Sequence, residues 1–264
     1  MTNNNIQFLA RAISLAEQVE ACFPKERLPT DKGRVAFGSL VRNRRLAQAV
    51  VLLPEELAYE ALALLRCMIE IQINLSWIHR ASGSSRESRF LQFESSERLG
   101  MIREMPASIP QDSAKDIIDR LEAQRNENRD LFAMKTKDGR ECWATNWAEG
   151  KNLRDRLKEI MELEGNAKVP FTYVLYRWAS TVVHGGPVSI ASVLSTGYGT
   201  MQSVAQPLPD PATVFSGAVI TLLMTSSEAA AIGDVDHDMK QRIGSLLQEF
   251  TQKSGDIHAA TLDD

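Results

Sequence analysis

The chain has little of what usually announces a function. Its three cysteines, Cys22, Cys67 and Cys142, are far apart and odd in number, which argues against a disulfide framework and for a reducing cytoplasm. No Cys/His grouping has zinc spacing. Glycine, at 15 residues in 264, and aromatics, at 6%, are scarce, which leans away from sheet-rich folds. No window approaches 18 uninterrupted apolar residues, so no membrane span is expected. The opening M-T-N-N-N-I-Q lacks the basic stretch and apolar run of a secretory signal. A net charge of −4 argues against non-specific coating of nucleic acid, because that binding comes mainly from phosphate neutralisation; it leaves room for a small basic site. There is no Walker A sequence, no G-x-G-x-x-G and no G-x-S-x-G. Nothing in the sequence requires a metal or a cofactor.

What is present is helical periodicity. Apolar residues recur at helical spacing over 3–22, 34–53, 55–81, 86–105, 112–134, 151–164, 173–184, 212–232 and 236–252, with breaks at Pro24, Ser82-Gly83, Pro106, Pro110 and Pro187. The pattern predicts an all-α bundle of eight or nine helices in a single domain over 1–264. The core is expected over about 34–232, flanked by the N-terminal helix, the last helix and a frayed tail. A strand pair is expected near 190–206, and the loop 135–150 is expected to be pinned by Trp143 and Trp147.

Two helices combine an apolar frame with a polar stripe. At 100° per residue, Tyr173, Arg177, Ser180, Thr181 and His184 share one stripe of the segment Y-V-L-Y-R-W-A-S-T-V-V-H-G-G-P. On the long third helix Arg66, Glu70 and Asn74 are spaced i, i+4, i+8. Charges in so apolar a helix need partners from elsewhere, since an unpaired buried charge is costly. The two stripes are therefore expected to face each other. Such a constellation is either a buried polar network, with Glu70 bridging Arg66 and Arg177, or a reactive site. His184 stands at a helix end followed by Gly185 and Gly186, where the helix dipole favours the imidazolium; a capping role and a general-acid role both fit.

The spacing of Arg177 and His184 resembles the R-x(4–6)-H motif of the HEPN superfamily, helical bundles that include metal-independent ribonucleases. The resemblance implies a homodimer with the Arg and His lining a cleft, RNA as substrate, and a toxin-like or phage-defence setting. It implies His184 assisting attack of a 2′-hydroxyl on the adjacent phosphate and Arg177 stabilising the developing charge. Trp178 departs from the polar residue that commonly follows the Arg in that superfamily. A broader pattern covers about 55–195: L-L-R-x-x-x-E-x-x-x-N, a tryptophan loop, a short charged helix, then Y-x-x-Y-R-x-x-S-x-x-V-H-G-G. This resembles a family of bacterial all-helical proteins of unknown function, with Arg66, Glu70, Tyr173, Tyr176, Ser180, His184 and Gly185 at the matching positions.

Other features are weaker. Seven basic and two acidic residues lie between Lys25 and Arg45, and Arg42, Arg44 and Arg45 among them suit either RNA phosphates or a solvated helix face. The acidic run at Asp234, Asp236 and Asp238 lacks the glycine and the bidentate glutamate of a calcium loop, and fits the start of the last helix. His79 falls off the Arg66 stripe. The readings that remain are a ribonuclease using Arg177, His184, Glu70 and Arg66 with Asn74, Tyr173 and Ser180 in support, and a non-catalytic module binding a protein partner or a small ligand.

Overall fold

Local chemistry fixes where the helices begin and end. The computed structural model describes residues 2–54, 57–80, 85–104, 111–135, 138–144, 146–165, 170–183 and 211–259, with backbone alone at 2, 3, 58, 59, 111–114, 182 and 254–259. Helix α1 spans Thr2–Cys22 and α2 spans Asp31–Leu52. Thr30 caps α2 by accepting from the Gly33 N–H at 3.0 Å, and Asp31 sits beside the positive end of the helix. Helix α3 is Ala58–His79. The segment expected as one helix over 86–105 is two, α4 (Arg86–Gln92) and α5 (Glu94–Glu104), with the break at Phe93.

The segment expected as one helix over 112–134 also divides. Helix α6 (Gln111–Glu127) is followed by a single turn, α7 (Arg129–Phe132), and then by a strand, β1 (Ala133–Lys135). Strand β1 pairs antiparallel with β2 (Glu141–Trp143), with Ala133 opposite Trp143. This hairpin lies in the stretch read as helix end and loop. The strand pair expected near 190–206 falls outside the described residues. Phe93, Phe132 and Ala144 form a small core of their own beneath the hairpin.

Helix α8 (Leu153–Glu164) opens with a reciprocal capping box between Asn152 and Asp155 and closes at Gly165, whose φ of 67° is left-handed. Helix α9 is Phe171–Val183, α10 is Pro211–Gly233 and α11 is His237–Ala259. Asp234, at φ 55°, turns the chain between the last two, and Asp236 accepts from the Met239 N–H at 2.8 Å. The acidic run thus caps α11.

Helix α10 is the axis of the bundle. Most of it is buried, apart from one stripe through Ile220, Met224, Ser227 and Ala231, and α1, α2, α3 and α11 pack against it. Its hydroxyls bond back to carbonyls one turn earlier, Thr221 to Gly217 at 2.7 Å and Thr225 to Thr221 at 2.8 Å, so no hydroxyl is left unsatisfied in the core. Two buried asparagines tie its neighbours to it. Asn5 Nδ2 donates to the Ala212 carbonyl at 3.0 Å, and Asn43 Nδ2 donates to Thr225 Oγ1 at 2.7 Å and to the Met68 carbonyl at 3.1 Å. The core reaches beyond the expected 34–232. Phe8, Leu9, Ala12 and Leu15 of α1 and Met239, Ile243 and Phe250 of α11 belong to it, with Phe8 and Phe250 in edge contact at 5.1 Å.

By length and composition alone, Glu60–His79 and Pro211–Gly233 are long and apolar enough to cross a membrane. Most of each is buried inside the protein, where the two pack against each other.

Candidate functional site

Helix α3 has three working faces, and the polar stripe occupies one of them. Leu65, Met68, Ile69 and Leu75 are buried. Arg66, Glu70 and Asn74 are half-buried on the side toward α8 and α9. Arg66 Nε donates to Ser180 Oγ at 3.1 Å, and its guanidinium lies 5.6 Å from the centre of the Tyr176 ring. The Ser180 hydroxyl itself bonds back to the Tyr176 carbonyl at 2.8 Å, and the Tyr173 and Tyr176 rings stack at 6.0 Å. The two polar stripes therefore meet at Arg66 and Ser180.

The partner of Asn74 comes from α8. Arg156 is 7% exposed, on the apolar face that also carries Leu153, Leu157 and Ile160. It donates through Nη1 to Asn74 Oδ1, and its guanidinium lies 5.1 Å from the centre of the Trp147 ring. Burial pushes the Arg156 guanidinium below its ordinary range, and the Glu70 carboxylate opposes that shift. Sequence reasoning missed this residue, although the i, i+4, i+7 spacing of Leu153, Leu157 and Ile160 places Arg156 on the same face.

Arg177 departs from the expected bridging role. It lies on the solvent side of α9, exposed, and among the described residues its guanidinium has no carboxylate or hydrogen-bond partner. The reason is angular: α9 buries Thr172, Leu175 and Ala179, and Arg177 stands about 140° round the helix from Thr172. Thr181 is exposed as well and bonds back to the Arg177 carbonyl at 3.0 Å. His184, Gly185 and Gly186 lie outside the described residues.

The three basic candidates on α2 have different surroundings. Arg44 is held by Glu20 of α1 and by Gln48 at 3.0 Å, which commits it to fastening α1 to α2. Arg42 and Arg45 are exposed, with no such partner among the described residues. Arg42 stands with Arg34 and Gly38 on one side of α2, beside a cavity of about 230 Å³ whose walls include Ile71, Phe90 and Leu91 and which Asn74 also lines.

Two further networks escaped the sequence. Glu228 of α10 takes hydrogen bonds from His79 and Arg80 and one from Ser76 Oγ at 2.9 Å. Burial alone would raise its pKa, yet the His79 and Arg80 hydrogen bonds bring it down to about 2. Glu159 of α8 accepts from Trp77 Nε1 at 3.0 Å and from Lys151 and Arg86. It too sits at about 2, burial working against the shift and the three donors outweighing it. Trp147 packs edge-on against Trp77 at 5.5 Å and Phe90 at 4.8 Å, which pins the tryptophan loop to the bundle.

Among the described residues there is no grouping of three or more His, Cys, Asp or Glu side chains able to hold a metal ion. Cys22, Cys67 and Cys142 are free thiols. No curated protein and no solved structure matches the chain. A family model does: residues 33–200, which carry α2 through α9 and both polar stripes, match a family of unknown function, DUF5677, and the chain belongs to that family.

Proposed function

We propose that the protein is a HEPN-like, metal-independent endoribonuclease in which Arg177 and His184 form the reactive pair, while Arg66, Glu70, Asn74 and Ser180 hold the helix that presents them. The observation that carries this division is the difference between the arginines. Arg66 and Arg156 are engaged by Ser180 and Asn74, whereas Arg177 is exposed and unengaged among the described residues. An unengaged guanidinium seven residues before a histidine suits a phosphate in transit. In this reading His184 assists removal of the proton from an RNA 2′-hydroxyl. The 2′-oxygen bonds to the adjacent phosphorus, and the bond from phosphorus to the 5′-oxygen breaks. The 5′-hydroxyl leaves with a proton, and a 2′,3′-cyclic phosphate remains. Arg177 stabilises the charge on the phosphoryl oxygens. A homodimer is the assembly this reading expects, and Val174, exposed one turn before Arg177 and on its side of α9, offers it an apolar contact.

The test is cleavage of varied RNAs in the presence of a chelator, comparing wild type with Arg177→Ala and His184→Ala. Product ending in a cyclic phosphate from the wild type alone supports the reading. Equal cleavage by all three proteins, or none by a folded wild type, removes it.

A second reading rests on the cavity beside Arg42 and Asn74. Gly38 lines it, and a Cβ added there meets nothing within 4 Å. A helix-interior glycine costs about 0.5–1 kcal/mol relative to alanine. With no close neighbour demanding it, the open space is the feature it preserves. This favours a non-catalytic module that binds a small ligand at α2 and α3.

A further inference from the structure

The hairpin end of the molecule holds a cavity separate from both polar stripes. It has a volume of about 240 Å³ and lies between α5, α6 and β2. Ser96, Gly100 and Arg103 come to it from successive turns of α5, Arg125 from α6, and Phe93 and Trp143 supply apolar wall. Arg125 lies with its guanidinium 4.1 Å from the centre of the Trp143 ring.

Three observations mark this place. The Nε of Arg125 is buried and has no hydrogen-bond partner. An orphaned buried donor is rare in a folded protein, because leaving it unmade forfeits its full hydration. The second is electrostatic: burial pushes the Arg125 guanidinium down, and the like charge of Arg103 pushes it further. Glu122 offsets only part of this and is already engaged with Arg103. The third is steric: a Cβ built on Gly100 meets nothing within 4 Å, so no packing contact demands a glycine in α5.

We propose that this cavity binds a small organic anion, a phosphate or carboxylate head carried on one aromatic ring or a comparable apolar body. The head lies against Arg125, whose Nε the protein leaves unmatched, with the Ser96 hydroxyl and the Glu122-paired Arg103 beside it. The body lies against Phe93 and Trp143. Size limits the class: a cavity of about 150 Å³ accepts a benzene ring, and larger ligands usually occupy about 300 Å³ or more. The space suits one ring with its head group and is too small for a dinucleotide.

The experiment is calorimetric titration of the full chain with phenyl phosphate, benzoate and inorganic phosphate. Saturable binding of phenyl phosphate or benzoate is expected, the tighter of the two identifying the head group, with inorganic phosphate about tenfold weaker or more for want of an apolar body. Arg125→Met is expected to weaken the preferred probe about 10- to 100-fold. Gly100→Leu, which fills the cavity without touching a charge, is expected to abolish it and serves if Arg125→Met does not fold. Arg98→Gln, on the exposed side of α5, is the control and leaves binding unchanged. Failure of both aromatic probes to bind, equal affinity for inorganic phosphate, or undiminished binding by Gly100→Leu overturns the proposal.

Discussion

Arg66 and Ser180, 114 positions apart in sequence, are joined by a hydrogen bond of 3.1 Å, while Arg177, one turn before Ser180 on the same helix, is exposed. Ser180 lies only about 60° round the helix from Arg177, on the side nearer the buried Thr172, Leu175 and Ala179, and Arg177 stands opposite that buried face. Ser180→Ala removes the acceptor from a half-buried guanidinium and is expected to cost about 1–3 kcal/mol in urea unfolding. Arg177→Ala, which takes nothing from the interior, is expected to stay within about 0.5 kcal/mol of wild type. The two variants are thus expected to separate stability from RNA cleavage.

Arg156 gives a sharper version of the same test. Its replacement by methionine takes the donor from Asn74 and withdraws a positive charge that the half-buried Glu70 feels. Leaving a buried acceptor without its donor costs about 1–3 kcal/mol, and Arg156→Met is expected to destabilise the fold by that amount in urea unfolding. Glu70→Gln, which keeps shape and hydrogen-bonding capacity, is expected to fold and to retain any RNA cleavage. Loss of cleavage by a stable Glu70→Gln would move Glu70 from the frame into the chemistry.

Glu228 makes stability depend on pH. Its folded pKa of about 2 lies below the ordinary 4.5, burial opposing the shift and His79 and Arg80 producing it. A depressed carboxylate stabilises the fold above the unfolded pKa and loses that contribution as pH falls through the folded one. The size is on the order of 3 kcal/mol, given about 1.4 kcal/mol per pKa unit. The stability gap between wild type and Glu228→Gln is therefore expected to be widest near neutrality and to narrow between about pH 5 and pH 2. Urea midpoints across that range check it; a gap independent of pH would show that the carboxylate charge contributes nothing.

Two glycines of α2 are expected to respond to alanine with opposite signs. A Cβ on Gly33 would stand 1.9 Å from the Arg27 carbonyl oxygen, which is backbone and cannot step aside. Gly33→Ala is expected to be destabilising by about 2 kcal/mol or more, through displaced backbone and a weakened Thr30 cap. Gly38→Ala meets nothing and is expected to stabilise by about 0.5–1 kcal/mol, the ordinary propensity difference. Thermal melts of the two variants decide the matter.

The helical architecture was legible because the apolar residues repeat at helical spacing and the breaks fall at proline and glycine. The meeting of the two polar stripes was legible for a related reason: Arg66 in an apolar helix needed a partner, and Ser180 provides it. The bridging partner was harder to see. Glu70 was expected to meet Arg177, which faces solvent instead because α9 buries Thr172, Leu175 and Ala179, a choice of face that helical spacing alone leaves open by tens of degrees. The hairpin was missed although Asp138-Gly139 stands between its strands, a turn signal that the charged residues around it obscured. Glu228 was hidden among alanines and serines on a helix whose apolar character drew attention away from its one carboxylate.

The placement of α10 bears on how the chain is made. Its partners in α1, α2 and α3 are synthesised well over a hundred residues before it, and Asn5 waits for Ser216, 211 positions later, to complete its hydrogen bonds. A ribosome adding about 5–20 residues per second would expose the apolar faces of those early helices for about ten seconds or more before the axis arrives. Nascent chains of this protein should accordingly need shielding during translation, and a fragment ending at residue 200 should stick to itself rather than fold.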